Sequence, residues 1–162
     1  MEEDEAPRSI AGGCQCGAVR YALSAEPRAI YVCHCTECQR QSGSAFGMSM
    51  PVPAAALLVT AGTPKEWRRK AASGHLITAF FCPECGARVF TRSTRLPDAV
   101  FVKCGTLDDT SRLRPVVHFW TSSAQPWVAI PTGDLAVPAD AVDPAAVAEQ
   151  WQRLGCRLLD PA

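Results

Sequence analysis

Short segments in which apolar and polar residues alternate, separated by glycine and proline, recur along this chain of 162 residues. Alternation with a period of two is typical of β-strands that bury one face. It predicts strands at residues 18–23, 46–52, 74–81, 88–92, 100–104 and 116–120. Residues 60–75 show no clear pattern. The pattern therefore predicts a mainly β fold built from small antiparallel sheets.

The C-terminal segment carries clear helix signals. Asp143 is a favourable N-cap, Pro144 suits the first helical position, and Gly155 suits the helix end. We therefore predict a short C-terminal helix. Pro51 and Pro53 lack the amide proton that a central strand would use, so the end of their strand is expected at a sheet edge.

Composition is that of a soluble globular protein, with 48% hydrophobic and 20% charged residues. No apolar run approaches the roughly 20 residues that cross a bilayer, and the acidic N-terminus has no apolar segment after it. We therefore expect a cytoplasmic protein without a membrane partner. In that reducing compartment, clustered cysteines bind metal more often than they form disulfides.

The formal charge is balanced, with 16 basic and 16 acidic side chains. Two zinc ions bound by seven thiolates would bring the net charge to about −3, which does not favour a nucleic-acid polyanion. The run Arg68-Arg69-Lys70 is too short to form a basic stripe and is expected on a solvent-exposed turn or strand. We therefore expect no nucleic-acid partner.

Seven of the nine cysteines fall into three tight clusters. The clusters are Cys14-Gln15-Cys16, Cys33-His34-Cys35-Thr36-Glu37-Cys38 and Cys82-Pro83-Glu84-Cys85-Gly86. Spacings of one and two residues let neighbouring thiolates bind one metal ion, as in zinc sites. Four thiolates close a tetrahedral zinc site, which stabilises a fold, whereas three leave an open position for chemistry.

Two assignments of these thiols to metal ions are possible. In one, the first and third clusters form a closed site and the middle cluster forms an open one. In the other, Cys14 and Cys16 join two cysteines of the middle cluster, and the third cluster pairs elsewhere. We prefer the first, because the middle cluster can supply three ligands from one short loop. The closed set is then Cys14, Cys16, Cys82 and Cys85, and the open set is Cys33, Cys35 and Cys38.

The cysteine clusters and the residues around them resemble the glutathione-dependent formaldehyde-activating enzyme family, which includes centromere protein V-type proteins. The similar segments are residues 12–21, 33–47, 81–86, 105–109 and 115–123, together with Trp127. The resemblance is weak over residues 53–78, and the chain beyond Pro138 is not part of the pattern. We therefore divide the chain into a flexible N-terminal tail (residues 1–9), a zinc domain (10–138) and a C-terminal helical extension (139–162).

The resemblance implies a β-tent type fold with two zinc ions per chain. It implies a structural zinc on Cys14, Cys16, Cys82 and Cys85, and a catalytic zinc on Cys33, Cys35 and Cys38. It also implies that the partners are glutathione or another small thiol and a small aldehyde. The expected function is that of a zinc-dependent carbon–sulfur lyase or synthase that forms S-(hydroxymethyl)glutathione from glutathione and formaldehyde.

The carboxylates of such a thiol need cationic or amide partners close to the catalytic cluster. The candidates for this substrate-binding role are Arg40, Ser42, Gly43 and Ser44, which follow the middle cluster in the sequence. His34 lies between two cysteines and is expected to point away from the metal. His118 is expected to be a hydrogen-bonded structural histidine, and Trp120 and Trp127 are either pocket walls or core residues.

Two other classes of function stay open at this point. A non-catalytic zinc module that binds a protein partner would have a middle cluster that thiols cannot reach. A reductase similar to methionine sulfoxide reductase B would use Cys104 as its nucleophile, although its place on an alternating strand predicts a buried side chain. Exposed sheet edges would also allow a homodimer.

We predict that native mass spectrometry of protein purified without chelator will show two zinc ions per chain. Cys35→Ser should remove one of them, because only the middle cluster loses a ligand. A single zinc ion, with the middle cysteines all open to alkylation, would contradict the assignment.

Overall fold

The structure, a computed structural model, describes residues 9–139 and 143–159, and within these ranges it is mainly β. The strands are β1 Ile10–Gly13, β2 Arg20–Leu23, β3 Tyr31–Cys33, β4 Gly47–Pro53, β5 Leu57–Ala61, β6 Lys65–Lys70, β7 Leu76–Phe81, β8 Arg88–Ser93, β9 Ala99–Lys103, β10 Val117–Phe119 and β11 Leu135–Val137. The α-helices are α1 Thr36–Ser42 and α2 Pro144–Arg153. Short 3₁₀ turns lie at Ala54–Ala56, Cys104–Thr106 and Thr121–Ser123. The N-terminal tail predicted at residues 1–9 lies outside the described residues except for Ser9.

The strands form two sheets. The smaller has the order β1-β2-β5, and the larger has the order β11-β10-β3-β4-β9-β8-β7-β6. Neighbouring strands are antiparallel except that β10 runs parallel to both β3 and β11. These parallel pairs depart from the expected antiparallel sheets, and the long connections between their strands make them possible. The predicted mainly β fold is otherwise confirmed.

Strand β4 occupies the position that its prolines predict. Its first residues pair with β3 on one side, whereas residues 51–53 pair only with β9 among the described strands. The side that would need amide protons from Pro51 and Pro53 is therefore free of a strand partner. The Pro51 carbonyl instead accepts a hydrogen bond from the Arg28 amide at 2.9 Å.

The C-terminal helix α2 agrees with its capping signals. The Asp143 carboxylate accepts a hydrogen bond from the Ala145 amide at 2.9 Å, and Pro144 is the first helical residue. Trp151 is buried and joins the main core. Among the described residues, no helix is long and apolar enough to cross a membrane.

Six elements escape the sequence pattern, namely α1 and the strands β1, β3, β5, β6 and β11. Helix α1 buries no residue completely, so it lacks the apolar periodicity that predicts a helix. Strand β6 lies within the unreadable stretch and is exposed along most of its length at the edge of the large sheet. The basic run Arg68-Arg69-Lys70 lies on this edge strand, where charged side chains oppose pairing with another sheet.

The main core fills the space between the sheets and includes three of the cysteines. Its large, fully buried members are Val19, Tyr21, Leu23, Ile30, Met50, Val52, Val89, Val100, Val102 and Val116. Cys14, Cys82 and Cys104 belong to the same cluster. The loops that carry the first and third cysteine clusters are therefore anchored in the core.

We predict that Gly62→Ala will destabilise the protein by about 1–3 kcal/mol more than Gly74→Ala. Both glycines have positive φ, so both substitutions carry backbone strain. Only at Gly62 would the new Cβ meet the chain, 2.1 Å from the Ala18 carbonyl oxygen, whereas Gly74 faces open space. Urea unfolding of both variants measures the difference, and equal losses would contradict the close approach.

Candidate metal centres

The first and third cysteine clusters meet where the small sheet joins the large one. The Sγ atoms of Cys14 and Cys16 are 3.5 Å apart, and those of Cys16 and Cys82 are 3.7 Å apart. With Cys85, the four sulfur atoms lie within 4.8 Å of one another. Zinc–sulfur bonds of about 2.3 Å place tetrahedral sulfur atoms about 3.8 Å apart. This donor set therefore fits a closed site for a soft metal ion.

Backbone amides shape the loops that present these thiols. The Val19 amide donates to Cys14 Sγ at 3.2 Å. In the third cluster, the Cys82 amide donates to the Ala87 carbonyl and the Gly86 amide to the Cys82 carbonyl, both at 2.9 Å. Desolvation raises the pKa of Cys14, but the Val19 amide and the neighbouring thiols outweigh it and bring that pKa to about 6. The loop is thus arranged to hold a thiolate.

The middle cluster forms a second group of thiols. Cys33 ends β3, Cys35 is the N-cap of α1, and Cys38 lies in the first turn of that helix. The Cys38 amide donates to Cys35 Sγ at 3.3 Å, so the sulfur replaces the oxygen of an ordinary capping residue. The three sulfur atoms lie within 4.8 Å of one another, and no other Cys, His, Asp or Glu of the described residues joins them.

Negative charge in this second group concentrates on the capping residue. Hydrogen bonds from Cys33 and Cys38 hold the pKa of Cys35 well below its usual value. The same interactions raise the pKa of Cys33. A thiolate on Cys35 is favoured by the helix N-terminus as well.

Two cations lie beside these thiols. Lys103 Nζ donates to Ser49 Oγ at 2.7 Å, and burial lowers the pKa of Lys103 to about 8. Burial also lowers the pKa of Arg88. The negative charge of Cys38 raises the pKa of both groups and so opposes the effect of burial. Both cations are therefore close enough to Cys38 to interact with it electrostatically. They offset part of the negative charge of three clustered thiolates.

His34 points away from the thiols on either side of it. Its Nε2 lies 3.1 Å from His118 Nδ1, and His118 Nε2 lies 3.4 Å from an Asp134 carboxylate oxygen. The Arg114 guanidinium donates to both oxygens of Asp134, at 2.7 and 2.9 Å. Burial lowers the pKa of both histidines, whereas Arg114 lowers that of Asp134. This series of polar side chains fixes His34, which lies between Cys33 and Cys35 of the middle cluster.

The loop at residues 121–125 also contacts the backbone of the middle cluster. Ser123 Oγ and Gln39 Nε2 both donate to the His34 carbonyl, at 3.0 and 2.7 Å. Trp120 precedes this loop with a φ of 57°, a left-handed conformation that is strained for a bulky residue. Trp127 is 74% exposed, so it is not a core residue.

Comparison with known proteins identifies the family of the chain. The family model described as glutathione-dependent formaldehyde-activating enzyme matches residues 9–123, which is most of the chain. The protein belongs to the glutathione-dependent formaldehyde-activating enzyme family. The matched range includes all seven clustered cysteines.

Two further comparisons add no functional information to the family assignment. No curated protein matches the chain. A crystal structure of a Rhodobacter sphaeroides protein, a structural-genomics target, is similar with a TM-score of 0.49 and 19% identity. The similarity covers 65% of this chain and 92% of that one.

The residues proposed from the sequence for substrate binding lie in the last turn of α1 or directly after it and are solvent-exposed. Ser42 Oγ donates to the Cys38 and Phe46 carbonyls, at 2.8 and 3.0 Å. The Gly43 and Ser44 amides donate to carbonyls at the end of α1. Their hydrogen bonds therefore cap the helix, and the Arg40 side chain lies on the surface. A binding role for the four in this family member stays a prediction.

Cys104, the nucleophile of the reductase hypothesis, is completely buried. Burial raises the pKa of its thiol to about 12. A reactive cysteine needs exposure and a lowered pKa, so the structure argues against this alternative.

We predict that His118→Leu will lower the free energy of unfolding by about 1–3 kcal/mol, because His34 and Asp134 lose a buried partner. Urea unfolding of the metal-loaded protein at neutral pH measures the loss. His75→Leu, in the turn between β6 and β7, is the control and should change stability by less than about 0.5 kcal/mol. Equal effects of the two substitutions would contradict the structural role of His118.

Proposed function

We propose that this protein is a zinc-dependent carbon–sulfur lyase or synthase that joins glutathione and formaldehyde to form S-(hydroxymethyl)glutathione. The observation that carries the proposal is the group of Cys33, Cys35 and Cys38, which no fourth side-chain ligand joins among the described residues. Three ligands leave a coordination position for substrate. Family membership supports glutathione and formaldehyde as the reactants.

The two thiol groups would have different tasks. Cys14, Cys16, Cys82 and Cys85 would hold a structural zinc, and Cys33, Cys35 and Cys38 a catalytic one. When bound by the three thiols, zinc supplies Lewis acidity that favours the thiolate form of a substrate near neutral pH.

The reaction is an addition without net oxidation or reduction. The thiol sulfur forms a bond to the aldehyde carbon, the carbon–oxygen π bond breaks, and the proton lost by the thiol ends on the oxygen as a hydroxyl. The lyase direction reverses these changes. The main contribution of the protein to this reaction would be to position the two reactants, because formaldehyde offers little surface for recognition.

The chain's own residues support this step in two ways. Lys103 and Arg88 place positive charge near Cys38, which moderates the repulsion that an incoming thiolate would meet. The contacts of Ser123 and Gln39 with the His34 carbonyl fix the backbone between Cys33 and Cys35. The thiols are therefore held in place before substrate binds.

We predict that the metal-loaded protein accelerates exchange between ¹³C-formaldehyde and S-(hydroxymethyl)glutathione, measured by NMR exchange spectroscopy. Cys35→Ser should abolish the acceleration and remove one zinc ion, because it breaks the three-thiol group while leaving the four-thiol group intact.

Cys104→Ser is the matched control, since this buried cysteine belongs to neither thiol group. It should keep both metal ions and the acceleration. A protein that holds two zinc ions without accelerating the exchange would refute the enzymatic proposal and favour a zinc module that binds a protein partner.

A further inference from the structure

A small cavity lies between α1 and the exposed end of the large sheet. Its volume is about 250 Å³, and Gln41, Trp67, Ala79, Phe81, Gly86 and Arg88 line it. Gln41 follows Cys38 by three residues on α1, so the two side chains are neighbours on the helix surface. The cavity is therefore adjacent to the middle cysteine cluster.

Hydrogen-bond donors without partners surround this cavity. Gln41 Nε2 and the Nε and Nη1 atoms of Arg88 are buried, and none has a hydrogen-bond partner among the described residues. Buried donors in native proteins almost always have a partner, in the protein, in water or in a ligand. The thiols are not partners, since none of them forms a hydrogen bond with these nitrogens.

The charge around the cavity is positive. Arg69 lies next to Arg88, close enough for its charge to lower the pKa of Arg88. Glu37 Oε2 lies 3.7 Å from Arg69 Nε and offsets one of the two positive charges. The remaining guanidinium has the planar donor arrangement that matches a carboxylate.

We propose that Arg88 and Gln41 form a carboxylate-binding subsite for the thiol substrate. The inference rests on the proposed function, because that function supplies a ligand whose thiol and carboxylates belong to one small molecule. One carboxylate in the cavity would accept hydrogen bonds from Arg88 and Gln41 while the sulfur reaches the three thiols. The half-exposed Trp67 ring would cover the connecting atoms. The subsite thus selects carboxylated small thiols.

The test uses S-methylglutathione, which keeps both carboxylates of glutathione but has no free thiol. Calorimetric titration of the metal-loaded protein gives its dissociation constant. Arg88→Met should weaken binding roughly 10- to 100-fold, as expected for loss of a charge-assisted hydrogen-bonded pair. Gln41→Leu, which serves if Arg88→Met fails to fold, should weaken binding roughly 2- to 10-fold.

Arg92→Met is the matched control, because Arg92 lies on the same strand but its guanidinium stacks over Phe80. It should bind S-methylglutathione as the unmodified protein does. The dimethyl ester of the probe should bind the unmodified protein and Arg88→Met equally. Absence of binding to the unmodified protein, or equal affinities of the unmodified protein and Arg88→Met, would overturn the subsite.

The two proposals fail in different ways. Accelerated formaldehyde exchange that does not depend on Arg88 would overturn the subsite and keep the enzymatic function. Binding of S-methylglutathione that depends on Arg88, without accelerated exchange, would keep the subsite as a carboxylate site and overturn the enzymatic function.

Discussion

The convergence of Cys14 and Cys16 with Cys82 and Cys85 is the constraint that joins the two sheets. The first pair follows β1 of the small sheet, and the second lies between β7 and β8 of the large sheet. Metal binding by such a group contributes about 10–16 kcal/mol in model peptides, comparable to the whole stability of a domain. With a metal ion bound by this group, the packing of one sheet on the other would depend on a few sulfur atoms as much as on the apolar core.

The second thiol group depends on polar contacts instead. Two buried histidines, an aspartate paired with arginine, and the 121–125 loop surround the backbone of the middle cluster. These contacts come from β10, from the segment before β11 and from α1, so distant parts of the chain fix one short loop. These contacts hold the backbone of the middle cluster without using its sulfur atoms.

Sequence reasoning was most successful where the signal is local. Cysteine spacing indicated the two thiol groups that the structure brings together, and alternation located most strands of the large sheet. Helix α1 was missed because its N-cap is a cysteine and its side chains bury no apolar stripe. The alternation around residues 100–104 did place Lys103 on the face opposite Val102, but gave no reason to associate it with the thiols.

The polar support and the cavity could not be predicted, because they depend on long-range register. His118 meets His34 only because β10 pairs in parallel with β3, a pairing between strands more than 80 residues apart. Arg88 and Gln41 line one cavity only because α1 lies beside the edge of the sheet formed by β6, β7 and β8. No local pattern carries that information.

The capping role of Cys35 connects metal occupancy to secondary structure. A helix of seven residues is too short to be stable by itself in water, and its N-cap is a sulfur atom of the site it presents. Releasing a metal from this cysteine would also alter the acceptor that starts the helix. Folding of α1 and metal binding by Cys35 would therefore be thermodynamically linked, and this segment would open and close as one local unit.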